Sequence, residues 1–174
     1  MGKKYIAQSL VQKLKKSNYL IATIESCTGG LVANLITDIT GSSQVFWGGR
    51  VVYDNNAKIA LGVDPSIIDT HGAVSYETAR SLAEKGLAEL QKHSMIKGDN
   101  DYNDPKHFIC VATTGLAEQD PDKNLEGGVC WIGIASSNIN MTFVERVNAS
   151  PLLTREETKL EFAKKALKFV EKNI

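Results

Sequence analysis

YLIATIESCTGG, residues 19–30, sets an apolar run from Tyr19 to Ile24 against the small polar turn Glu25-Ser26-Cys27-Thr28-Gly29-Gly30. A run of this length closed by turn formers reads as a buried strand over about 19–25. Beyond it Leu31, Val32, Leu35, Ile36 and Ile39 recur at helical spacing, which puts the two glycines in the first turn of a helix. Strand, glycine turn and helix in that order place the turn at the carboxyl edge of a sheet, where layered α/β folds hold their ligands.

Reading outward from this unit, Ile6, Leu10, Val11 and Leu14 mark one face of a preceding helix over 4–17. Downstream, Thr40-Gly41-Ser42-Ser43 closes the second helix, with Gly41 as a C-terminal cap. Val45 to Tyr53 reads as a strand interrupted at Gly48-Gly49 by a bulge or a close approach. Asp54 then caps a short helix through Lys58 and Leu61, Pro65 opens another, and Ser75 caps a long one that ends near Lys92. Residues 94–106 form a polar loop. Phe108 to Ala112, Val129 to Ala135 and Asn140 to Val147 are strands, and Thr154 with Glu157 forms a capping box for the last helix. The alternation predicts one α/β domain over residues 1–174, with helices covering a mainly parallel or mixed sheet.

Composition narrows the function. Twenty basic residues balance twenty acidic ones in 174, so no net field draws nucleic acid or an anionic membrane. The lysines at 13, 15, 16, 164 and 165 fall in helical segments as solvated faces. Three cysteines without a C-x-x-C pair fit a reducing compartment, and the absence of a signal-like or spanning apolar run predicts a cytoplasmic, soluble chain. His71, His93 and His107 lack carboxylates at ligand spacing, which predicts no metal, and no phosphate-loop or dinucleotide fingerprint implies a cofactor.

Two stretches carry chemistry-bearing groups. In the first turn, Ser26 becomes a nucleophile only if a neighbour takes its proton, while Cys27 is intrinsically stronger but has no nearby His. Against both stands the reading that Thr28 caps a helix and the glycines permit close packing. The second stretch is Tyr53-Asp54-Asn55-Asn56-Ala57-Lys58. If its strand lies beside the first, Tyr53 and Lys58 reach the edge that carries Ser26, and a desolvated neutral lysine activates a serine. Spacing alone favours a plainer outcome, an exposed Asp54–Lys58 pair at i,i+4.

ESCTGG, T-G-S-S at 40–43, V-V-Y-D-N-N-A-K at 51–58, L-G-V at 61–63, H-G-A-V-S at 71–75 and T-G-L-A at 114–117 together resemble the C-terminal domain of the competence/damage-inducible CinA family. The resemblance implies a three-layer α/β/α sandwich and a nicotinamide-nucleotide amidase that works without metal or cofactor. Ser26 would be the nucleophile, Lys58 its base and Tyr53 a hydroxyl that relays or orients the proton. Cys27, Thr28, Gly29, Gly30, Ser42, Thr114 and Gly115 would line the substrate cleft, with N–H groups around Thr28, Gly29 and Gly30 facing an oxyanion. Arg155 would meet the substrate phosphate. A small nucleotide is the implied partner, with a homodimer as the assembly, Val45-Phe46-Trp47 and Trp131 offering apolar surface for it. Three segments depart from the family pattern: Glu118 to Asp122 where Gly-Pro-Asp-Gly-Gly is usual, Leu125 to Val129, and Pro151 to Thr154 before the retained Arg155. They leave room for an alternative, a catalytically silent or re-specialised binding module.

Overall fold

A computed structural model describes residues 3–94, 105–119 and 126–174. Most of the loop expected over 94–106, and Asp120 to Leu125 of the altered segment, lie outside them. The first helix, α1 (Lys3–Lys16), leads into β1 (Tyr19–Glu25), which is buried at every residue. Strands β2 (Phe46–Val51) and β3 (His107–Leu116) pair with β1 on either side, both parallel to it. The hairpin of β4 (Val129–Ser136) and β5 (Ile139–Asn148) adds two antiparallel strands, giving the order β2-β1-β3-β4-β5.

Period-two alternation divides the apolar side chains of β1 between two cores. Ile21 packs with Leu10, Leu14, Ile36, Phe162 and Leu167, under α1, α2 (Leu31–Thr37) and α6 (Arg155–Lys172). Leu20 and Ile24 pack with Ile68, Leu82, Leu90 and Cys110, under α3 (Asn55–Leu61), α4 (Pro65–His71) and α5 (Tyr76–Ser94). The result is the expected three-layer sandwich with a mixed sheet. Each leucine or isoleucine taken fully out of water in these cores contributes about 1.5–3 kcal/mol. The α5 layer lies very close to the strands: a Cβ on Gly86 would stand 2.4 Å from Cys110 Sγ and 2.5 Å from Ile24 Cγ1.

Several caps follow the sequence pattern. Asp54 accepts from Asn56 N–H at 2.8 Å, Ser75 Oγ accepts from Thr78 N–H at 3.1 Å, and Thr154 and Glu157 form the reciprocal box. The β1–β2 register skips a residue between Phe46 and Gly48, so the expected bulge is present. The second helix differs from expectation at both ends. Gly29 and Gly30 precede it, with φ of 62° and 97°, and it stops at Thr37 with Asp38 as its cap. Gly41 opens a short 3-10 turn, Ser42–Gln44, instead of closing α2.

Candidate active site

Strand β1 ends in a carboxylate that turns back over the helix that follows. Glu25 is buried, and its Oε2 accepts from Thr28 Oγ1 at 2.7 Å, Gly30 N–H at 2.9 Å and Val32 N–H at 3.0 Å, while Oε1 accepts from Ala33 N–H at 2.8 Å. Orphan donors at a helix start and the local dipole make this a favourable place for a carboxylate. The consequence is that the chain fills its own α2 terminus. Gly30 N–H belongs to Glu25 and Gly29 N–H donates to Ser26 C=O at 3.1 Å, whereas the N–H groups of Cys27 and Thr28 have no partner among the described residues.

Ser26 sits in the crook of this turn, 6% exposed, its N–H donating to Thr113 C=O at 3.0 Å. Its Oγ makes no hydrogen bond among the described residues. Cys27 points into the core, its Sγ 3.5 Å from Cys130 Sγ, and burial pushes the Cys130 thiol well up from its ordinary pKa. Packing is thus the observed state of that cysteine.

The neighbouring strand delivers the lysine. Val52 N–H donates to Glu25 C=O at 2.7 Å, extending the parallel pairing past β2 and holding Tyr53 and α3 at the edge that carries Ser26. Lys58 is only 2% exposed, and its Nζ donates to Tyr53 C=O at 3.0 Å. An exposed Asp54–Lys58 pair does not form, because Asp54 is used as the α3 cap and the lysine stem packs inward. Burial lowers the Lys58 pKa, opposed by the charge of Asp54 and by Cys27. Tyr53 lies outermost, 60% exposed, and its hydroxyl accepts from Arg155 Nη2 at 3.0 Å; the other arm of Arg155 reaches Glu118 Oε2 at 3.3 Å.

Ser26 with its unbonded hydroxyl thus follows β1, Lys58 is buried on α3 after the neighbouring strand, and Arg155 of α6 bonds Tyr53 at the start of that segment. The CinA C-terminal domain profile matches residues 3–98. This chain belongs to the CinA C-terminal domain family. A CinA-like protein of Chlorobium phaeovibrioides is 36% identical over 177 aligned positions, covering 98% of this chain and 37% of that protein. A CinA-like protein of Leptospira borgpetersenii is 46% identical over 137, covering 76% of this chain and 29% of that protein. The chain therefore spans about a third of the length of these curated relatives. Among solved structures, the competence/damage inducible protein CihA from Agrobacterium tumefaciens is similar at 28% identity with a TM-score of 0.82, covering 99% of this chain and 96% of that one. A CinA superfamily protein from Klebsiella pneumoniae shares the fold at 17% identity and a TM-score of 0.83, covering 99% and 97%.

Within this CinA domain the remaining sequence-named residues divide. Thr28 joins the Ser26 turn, its Oγ1 also 2.8 Å from Thr113 Oγ1. Thr114 faces the α5 layer and donates to Ala73 C=O at 2.6 Å, and a Cβ on Gly115 would lie 2.3 Å from Val129 O, so that glycine serves strand contact. Ser42 is a correction. Its turn leads into the start of β2, where Val45 C=O accepts from Ile21 N–H, and Ser26 lies five residues further along β1, about 16 Å at strand rise. Within one chain Ser42 belongs to the opposite sheet edge.

Three contributors escaped the sequence reading. Glu25 signals itself as the one carboxylate ending an apolar strand before a run of free helix donors. Thr113 needs the β1–β3 register, in which it stands opposite Glu25. Lys159 comes from α6: a Cβ on Gly29 would lie 3.2 Å from its Nζ. Among the described residues no three His, Cys, Asp or Glu side chains gather as a metal site, and no helix is long and apolar enough to cross a membrane. His71 stands 3.7 Å from Glu77, and the His107 ring lies 5.0 Å from that of Tyr19. Trp131, half-buried, meets Tyr76 edge-on at 6.1 Å.

Proposed function

We propose that this domain hydrolyses the carboxamide of nicotinamide mononucleotide to nicotinate mononucleotide and ammonia. The observation that carries the reading is Lys58, a lysine buried on α3 with a lowered pKa, at the same end of the sheet as Ser26, whose hydroxyl is unbonded among the described residues. A neutral Nζ takes the Ser26 proton as Oγ attacks the carboxamide carbon. The N–H groups of Cys27 and Thr28, unengaged by Glu25, are placed to receive the oxyanion. Lys58 returns the proton to the departing nitrogen, ammonia leaves, and an acyl ester on Ser26 remains. Water then attacks that ester, giving its proton to Lys58, and the carboxylate product departs as Ser26 regains its hydrogen. Tyr53 orients Lys58 through its carbonyl and Arg155 through its hydroxyl.

One observation favours a second reading, a silent ligand-binding module: Lys58 Nζ is engaged by Tyr53 C=O, and Ser26 and Lys58 share no hydrogen bond. Ammonia release from nicotinamide mononucleotide, measured for the parent, Ser26→Ala and Lys58→Met, separates the two. Turnover by the parent that vanishes in both variants supports the amidase; binding of the nucleotide without turnover supports the module. A homodimer belongs to the same proposal and rests on family likeness, and sedimentation equilibrium checks it.

A further inference from the structure

Cys27 and Cys130 are 103 residues apart in sequence, and their sulfurs stand 3.5 Å from one another. Strand β3 runs between them, and at their level it carries no side chain. Gly115 stands opposite Cys130 and two residues past Thr113, as Cys27 stands two past Glu25. A Cβ on Gly115 would come within 3.0 Å of Cys130 Cβ and crowd the contact. A disulfide needs sulfurs about 2.05 Å apart, so closing this one asks for an approach of about 1.5 Å. Cys130 is fixed in β4, whereas Cys27 belongs to the turn that follows β1, so the movement falls on the turn. The thiols also differ in reach. Cys110 and Cys130 are fully enclosed, while Cys27 keeps 5% exposure beside Ser26, and Lys58 is near enough to feel a charge on its sulfur. A nearby cation favours the thiolate, which is the form that reacts.

We propose that Cys27 and Cys130 form a reversible oxidation site, a disulfide made by a small hydroperoxide that displaces the turn between Ser26 and Thr28. The Cys27 thiolate attacks the peroxide: an S–O bond forms, the O–O bond breaks, and the leaving oxygen takes the proton the thiol gave up and departs as water or alcohol. The Cys130 sulfur then displaces hydroxide from the sulfenic acid, S–S replacing S–O, and the Cys130 proton leaves with that hydroxide as water. Two electrons pass from the sulfurs to the peroxide, and a dithiol reductant returns them. Because Cys27 and Thr28 carry the N–H groups assigned to the oxyanion, the bond turns the site off. That consequence rests on the amidase reading; the bond itself does not.

Hydrogen peroxide treatment of the parent, followed by maleimide labelling in denaturant and mass spectrometry, tests it. Two of the three thiols should be lost, with a cross-linked peptide joining Cys27 to Cys130, Cys110 still labelled, and full recovery in dithiothreitol. In Cys130→Val, a swap of similar volume, no disulfide should form and dimedone should trap a sulfenic acid at Cys27. The amide NMR signals of Cys27 and Thr28 should shift in the oxidised parent and return on reduction. Three labelled thiols after treatment, a bond to Cys110 or between two chains, or unmoved amide signals would overturn the proposal. Ammonia release from nicotinamide mononucleotide should fall at least about tenfold in the disulfide form, and undiminished release there overturns the switch. If the parent releases none in either form, the amidase reading fails, and the cross-link and the amide shifts still decide this one.

Discussion

Two buried ionisable side chains, Lys58 on α3 and Glu25 at the end of β1, answer to opposite physics. Lys58 is held by desolvation, and its role as base requires the neutral form, so kcat should rise with pH through its lowered pKa. Lys58→Arg should remove turnover entirely, since a guanidinium does not give up its proton in this range. Stability follows the same proton. Between the native pKa and the ordinary lysine value of 10.5 the unfolded chain binds more protons, so stability increases with pH across that window and the full cost of the buried ammonium is present below it. Lys58→Met should flatten this slope in urea denaturation repeated from neutral pH to pH 10. Glu25 is held by its four donors. Gln in its place turns an amide N–H₂ toward backbone donors, and the loss should be about 1–3 kcal/mol, read by calorimetry.

At the scale of elements, α6 is positioned by its first turn, where Thr154 and Glu157 satisfy one another's backbone donors. Thr154→Ala should cost about 1 kcal/mol, a fall in Tm of about 2–4 °C for a chain of this size. This box was readable from the sequence because a capping box is local, spelled by residues three apart. The same holds for Asp54 and Ser75 at the starts of α3 and α5 and for Pro65 in the first turn of α4, while the Asp64 cap of α4 was not singled out. The start of α2 was not readable. Its glycines have positive φ because Glu25 draws the helix donors toward itself, and that carboxylate contact depends on where the preceding strand ends. Gly30→Ala should therefore cost about 1–2 kcal/mol in strain, measured by the same melts. Likewise the fate of Lys58, exposed by i,i+4 spacing but buried in fact, is decided by the β1–β2 pairing and not by its own helix.

For the whole molecule, alternation of strand and helix was enough to predict the layers, since β1 must shelter both faces and only helices on each side do so. What it left open was the register, and with it the juxtaposition of Ser26 with Thr113 and the distance of Ser42. The close α5 layer gives a direct check: Gly86→Ala forces a methyl against Cys110 and Ile24, with a cost of about 1–3 kcal/mol and no change in ligand affinity, by melting and titration together. The central pairing sets Tyr19 opposite His107 and Glu25 opposite Thr113, in parallel register between residues about half the chain apart in sequence. A ribosome thus releases β1, β2 and five helices before the strand that completes the sheet's middle exists. Two parallel strands alone do not hold a sheet in water, so the nascent chain waits until β3 emerges for its central pairing, and until α6 emerges for the side chains of Phe162 and Leu167 that cover the α1 face. Folding during synthesis then becomes a late event, and a chaperone that covers apolar segments keeps its opportunity until α6 has left the ribosome.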